Sequence, residues 1–191
     1  MNLLKETILS QTPVPEDELN EVLSCFVTMD LGKGEYLLKA EQYVQHMFFL
    51  QKGCICFYTI HEGREQVVEI FTEGTFFTDL YSYLREQPSK CFLKALELSQ
   101  VLAATKEDFE KGLRNSHAME HFWRLSLEEE YLTQYVNSTN KNALSNEERY
   151  LRLLRKRPDL FQRVPQYLIA SYLGLTPVGL SKIRKRLSQS H

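Results

Sequence analysis

The sequence predicts an α+β fold in three parts: an antiparallel β-sandwich or barrel, a long amphipathic helix and an all-helical C-terminal segment. Three observations predict it. Across residues 27–104, short apolar or alternating runs (EYLLKA, MFFLQ, CICFYTI, QVVEIF, TFF, KALELSQVLAAT) are parted by the Gly-bearing turns GKG, QKG, HEGRE and TEG, the cadence of an all-β sandwich or barrel. Residues 115–136 contain neither Pro nor Gly and are long enough for about six helical turns. Residues 166–187 read QYLIASYLGLTPVGLSKIRKRL, two short helices folded across a tight turn.

Taken in order, residues 15–27 predict a short helix opened by Pro15, Glu16 and Asp17, with Leu19, Val22, Leu23 and Phe26 on one side. HEGRE, at residues 61–65, is the expected tip of a β-hairpin. On the long helix, Ala118, Phe122, Leu125, Leu132 and Val136 recur at four- and three-residue steps with Glu129 in one slot, and Trp123, Leu127 and Tyr131 form a second stripe. Both stripes must be buried. The economical arrangement packs one on the chain's own barrel and offers the other to a twin helix, giving an expected dimer seam of Phe122, Leu125, Glu129, Leu132 and Val136; the alternative packs both within one chain. Residues 137–146 (NSTNKNALSN) are polar and turn-rich, the expected linker. Ser145 with Glu148 forms a capping box that opens a helix ending before Pro158.

The C-terminal pair meets the requirements of a helix-turn-helix together. Ala170 is small enough for close crossing, Gly174 tolerates a left-handed turn, and Ile169, Leu173, Leu175, Leu180 and Ile183 supply the shared core. Thr176 is a good N-cap and Pro177 suits the first helical position. With Leu180, Ile183 and Leu187 turned inward, Val178, Ser181, Lys182 and Lys185 form an outward stripe flanked by Arg184 and Arg186. A recognition helix reads the major groove with its N-terminal residues, so Val178, Ser181 and Lys182 are the candidate base contacts. Lys185, Arg184, Arg186 and the Thr176 hydroxyl suit phosphates. The bland alternative, a solvated basic surface helix, does not need the Ala–Gly–Thr-Pro register. Gly179 costs this helix about 1 kcal/mol against Ala.

Charge points the same way. The net charge is only −2, yet residues 141–191 carry 11 Lys and Arg against 3 Asp and Glu, and residues 1–140 carry 12 against 22. A basic end on an acidic body keeps attraction for nucleic acid local. The 43% hydrophobic content is that of a globular protein, no stretch approaches a membrane span, and MNLLKETILSQ lacks a signal-peptide core. Cys25, Cys54, Cys56 and Cys91 have no framework spacing, which fits a reducing cytoplasm; Cys54 and Cys56 read as small core residues. His117 and His121 lie one turn apart without an obvious third metal ligand, and His46 and His61 read as surface or turn residues.

Helix, small barrel, long helix, hinge and helix-turn-helix, in that order, resemble the Crp/Fnr family of bacterial transcription regulators over essentially the whole chain. The most specific segment, ASYLGLTPVGLSKIRKRL at residues 170–187, is similar to that of the family's Bacteroidetes-type members, and the turn glycines Gly34, Gly53 and Gly74 agree with its cyclic-nucleotide-binding barrel. The resemblance implies a double-stranded β-helix (jelly-roll) sensor barrel with a dimerisation helix over residues 1–138, and a DNA-binding domain over residues 139–191. It implies a homodimer on a two-fold symmetric operator of double-stranded DNA, with RNA polymerase and a small effector as further partners.

The effector site departs from the pattern. Cyclic-AMP-binding members carry Gly-Glu-Leu and, further on, an Arg-Ser pair. Here the matching stretches are Thr78-Asp79-Leu80 and, after Pro88, Ser89-Lys90. Asp79 is a shortened glutamate, Thr78 adds a side chain where backbone should approach, and Lys90 lacks the planar fork of arginine. Cyclic AMP is therefore not the expected ligand, and no cofactor is called for. The barrel either holds another small molecule, in a pocket made aromatic by Phe76, Phe77, Tyr81, Tyr83 and Phe92, or is a scaffold in which those rings are core. An iron–sulfur sensor would need an N-terminal cysteine cluster, where only Cys25 lies. A cupin metalloenzyme would need a His-x-His pair, and no nucleophile–base pair or phosphate loop is present, so no enzymatic activity is expected. With four residues after Leu187, the β-hairpin wing that many relatives place beyond the recognition helix is not expected.

Overall fold

Two helices lead into the barrel in the computed structural model, which describes residues 2–189. Helix α1 (Asn2–Gln11) buries Leu4 and Ile8, and α2 (Glu16–Ser24) carries Glu16, Asp17 and Glu18 in its first turn, where the helix dipole favours anions. The strands follow: β1 (Val27–Leu31), β2 (Tyr36–Leu38), β3 (His46–Lys52), β4 (Ile55–His61), β5 (Arg64–Phe71) and β6 (Phe76–Phe77), then, after helix α3 (Leu80–Arg85), β7 (Cys91–Ala95) and β8 (Ser99–Thr105). All pair antiparallel, in two sheets of order β1-β8-β3-β6 and β2-β7-β4-β5. This is the jelly-roll arrangement. The β4–β5 hairpin closes through Glu62 (φ 51°) and Gly63 (φ 71°). Two successive left-handed residues match the twist of the strands they join.

The barrel core is aromatic. Phe49 meets Phe76 edge-on at 4.9 Å, and Phe76 in turn meets Phe26, Phe109, Phe122 and Trp123. Phe77 stacks between Phe48 and Phe71. Of the rings expected to line a pocket, Phe77 and Tyr83 are thus core, and Tyr81 is 65% exposed.

Helix α4 (Lys106–Asn115) is separated from the long helix α5 (His117–Ala143) by the extended Ser116, whose hydroxyl accepts from Met119 N–H at 3.0 Å. Two expectations are corrected along α5. Phe122 is only 1% exposed and belongs, with Met119, to the barrel core, so it has no surface to offer a partner. Trp123 packs on the same core against Phe109. The two stripes emerge beyond them, where Leu127, Tyr131, Leu132, Tyr135 and Val136 are all exposed. At 100° per residue Leu132 and Val136 continue the Phe122 stripe and Leu127, Tyr131 and Tyr135 lie on the opposite side, so the exposure of both marks where the barrel ends along α5. The expected linker is also helix as far as Ala143, so a boundary at 138/139 falls inside α5. Residues 137–143 contain no Pro or Gly, and Thr139 returns its hydroxyl to Tyr135 C=O at 2.9 Å. The backbone breaks at Leu144 (φ −96°, ψ 143°).

After that break come α6 (Asn146–Lys156), α7 (Leu160–Arg163), α8 (Gln166–Tyr172) and α9 (Pro177–Gln189). The Ser145–Glu148 capping box is present. These helices share one core with the outer face of the β4–β5 sheet: Cys54, Cys56, Tyr58, Val67 and Ile70 pack with Leu160, Leu168, Ile169 and Ile183. Burial pushes the Cys54 and Cys56 thiols up to about 12, so both remain neutral, apolar fillers. No helix among the described residues is long and apolar enough to cross a membrane.

Candidate functional site

Helix α9 divides cleanly. Leu180 and Ile183 are buried beneath it, while Val178, Ser181, Lys182, Arg184, Lys185 and Arg186 are exposed. Gly174, at φ 67°, makes the turn from α8. Ala170, 0% exposed, lets α8 approach closely, and its carbonyl accepts from Leu175 N–H at 2.8 Å. The Thr176 hydroxyl accepts from Gly179 N–H at 3.1 Å, so the expected N-cap forms and leaves the hydroxyl hydrogen as a donor. Arg186 differs from expectation: it meets Glu147 of α6 at 2.5 Å, which offsets its charge. Between α6 and α9 lies a groove of about 640 Å³ whose walls include Gln166, Ser181, Arg184 and Lys185. Gln166, the first residue of α8, lines the same groove as Arg184, a placement that no spacing within α9 announces.

The second expected site, the loop around α3, is closed on itself. Asp79 caps α3 by accepting from Ser82 N–H at 3.3 Å, and its other oxygen accepts the Ser89 hydroxyl at 2.7 Å. Ser89 Oγ also accepts from Cys91 N–H at 2.9 Å and is 0% exposed. Thr78 donates to the His46 carbonyl at 3.0 Å, and Leu80 packs on the barrel core. Lys106 Nζ clamps the far end of α3 by bonding Tyr83 C=O at 2.9 Å and Glu86 at 2.7 Å. Lys90 points instead into an open groove of about 590 Å³ with Thr59, His61 and Gln66. A cyclic nucleotide phosphate entering here would meet the buried Asp79 carboxyl and, in place of an arginine, the Ser89 hydroxyl, which is already given to Asp79. These residues do not fit cyclic AMP. Cyclic AMP at millimolar concentration is therefore expected to leave the melting temperature unchanged; a rise of several degrees in a thermal-shift assay would contradict this reading.

The histidines do not gather. His121 Nδ1 bonds Arg124, His117 sits beside Glu120, and His46 stacks on Phe48. Among the described residues no three His, Cys, Asp or Glu side chains form a metal cluster.

Residues 28–116 match the family described as the cyclic nucleotide-binding domain. No curated protein sequence matches the chain. Solved structures do. The c-di-GMP-responsive global regulator CLP of Xanthomonas campestris superposes with a TM-score of 0.74 at 13% identity, over 92% of this chain and 93% of that one. The catabolite activator protein of Thermus thermophilus gives 0.58 at 18% identity, over 96% and 87%. The transcriptional regulator DNR of Pseudomonas aeruginosa gives 0.58 at 21% identity, over 99% and 87%. At these identities the likeness is one of fold. Over residues 28–116 the barrel is similar to the cyclic nucleotide-binding domain, and the chain as a whole shares its fold with these regulators.

Proposed function

We infer that the chain is a cytoplasmic transcription regulator of the Crp/Fnr type, in its Bacteroidetes-type branch, that binds a two-fold symmetric DNA operator as a homodimer. In this reading α8 and α9 form a helix-turn-helix. The observation that carries it is α9 itself, with one face buried and the other wholly exposed and basic. Set in a major groove, its N-terminal half presents Val178 to a thymine methyl and Ser181 and Lys182 to base-edge acceptors. Arg184, Lys185 and Thr176 serve phosphates. Arg186 joins them only by leaving Glu147, a cost that makes it the weakest of the set. Dimerisation through α5 supplies the two-fold axis, and bound RNA polymerase would read the assembled surface.

The barrel is either a scaffold or a sensor for a small molecule other than cyclic AMP. The closed Asp79–Ser89 loop favours the scaffold.

On a cognate operator, Lys182→Ala is expected to cost about 1–3 kcal/mol and to relax preference at one base position. Lys185→Ala should weaken cognate and random DNA alike and flatten the salt dependence. Fluorescence anisotropy at two or three salt concentrations separates the two. Equal losses for both variants on both DNAs would contradict the assigned reading face.

A further inference from the structure

Strand β5 is the outer strand of its sheet, and an open strand edge demands partners for its N–H and C=O groups. Here the partner is a side chain of α8. Ser171 Oγ accepts from Val67 N–H at 2.9 Å and donates to Glu65 C=O at 3.0 Å, standing in for a residue of a neighbouring strand. The same edge is held further along. Tyr172 donates to Glu69 at 3.2 Å, and Arg157 donates to Ile70 C=O at 3.2 Å and Thr72 Oγ1 at 3.1 Å. Beyond the end of β5, Arg163 forks onto Glu73 at 2.8 and 2.9 Å, reaches Glu97 at 2.5 Å, and donates to Gly53 C=O at 2.7 Å. Gly53 has φ 107°, and a Cβ there would stand 2.6 Å from the Ser99 Cα, so the close approach at this corner requires glycine.

None of these residues is among the exposed residues of α9. The docked arrangement leaves Val178, Ser181, Lys182 and Lys185 open, so it does not occlude the reading face. The structure assigns to Ser171, Arg157 and Arg163 a positioning role: they fix the direction of α9 against the barrel, so that the β5 edge, and not the break at Leu144 alone, sets the separation of the two reading helices in the dimer. This rests on the DNA-reading proposal above. It predicts a rigid register between half-sites, because two helices tied to two barrels cannot swing independently.

The test uses the full chain, with Ser171→Ala and Arg163→Met. First, hydrogen exchange is followed without DNA. Exchange in β5 and α6–α8 should speed up in both variants while β3 and β8 stay protected; unchanged exchange in β5 and α8 would overturn the assignment. Second, binding is measured to a selected operator, to the same half-sites moved apart by one or two base pairs, and to a single half-site. The wild type should favour its own spacing. In the variants that preference should fall by about tenfold while single half-site affinity stays within about twofold. Ser171→Thr, which keeps the hydroxyl, should restore it. A preference retained by Ser171→Ala, or tighter operator binding by either variant, would overturn the positioning role. Failure of the wild type to bind any duplex would instead sink the DNA-reading proposal, and the exchange result would still decide whether the edge is latched.

Discussion

Aspartate at both Leu132 and Val136 is expected to turn the proposed homodimer into monomers and to weaken operator binding by about 10²- to 10⁴-fold. The two side chains are 55% and 41% exposed in the single chain, on the Phe122 stripe of α5 but beyond the point where the barrel ends, so neither supports the barrel core. A face that repeats Leu125, Leu132 and Val136 beside Tyr131 and Tyr135 buries its apolar area only against another helix. Carboxylates there would be desolvated without partners. Each monomer then binds one half-site without the second, and the gain from linked sites is lost. The melting temperature of the monomer should change little. Light scattering coupled to size-exclusion chromatography reads the mass, and anisotropy reads the affinity. A monomeric wild type, or a variant that remains dimeric and binds normally, would contradict the seam.

Phe49→Ala is expected to remove about 3–5 kcal/mol of stability. The ring is 0% exposed and stands edge-on to Phe76, which links β6 to Phe26 at the α2–β1 junction and to α4 and α5. Truncation leaves a cavity at the point where the barrel and its flanking helices meet, and the surrounding rings cannot collapse to fill it. Denaturant unfolding should show a lower midpoint at constant slope. The contrasting substitution is Tyr81→Ala: its ring is 65% exposed, and its loss should stay within about 0.5 kcal/mol. A loss below about 1 kcal/mol at Phe49 would mean that the aromatic cluster is not the core of the barrel.

Features written in local sequence were the legible ones. Ser145 and Glu148 lie three residues apart and form their capping box; the hairpin tip at residues 61–65 needs only its own Glu-Gly pair; the two sides of α9 follow from spacing alone. What was illegible depended on distance or on competition. Residues 137–143 look like a linker because their side chains are polar, but polarity on a solvated helix is no obstacle, and only Leu144 breaks it. Phe122 and Val136 share a stripe, yet the barrel ends between them, and no periodicity records where a neighbour stops. Ser89 announced a missing arginine; its bond to Asp79, which closes the loop, required the fold. The Ser171–Val67 contact joins residues 104 positions apart, so nothing in either segment names the other. Arg186 reads as a phosphate contact until α6 brings Glu147 beside it.

The central claim is that this chain reads DNA as a symmetric dimer through α9. Selection of bound sequences from a pool of random duplexes, using the full chain, tests it most directly. The predicted result is enrichment of a two-fold symmetric sequence with two half-sites at one fixed spacing, lost when Lys182→Ala replaces the wild type in the same selection. Recovery of the unselected pool, with binding that depends on salt but not on sequence, would contradict it.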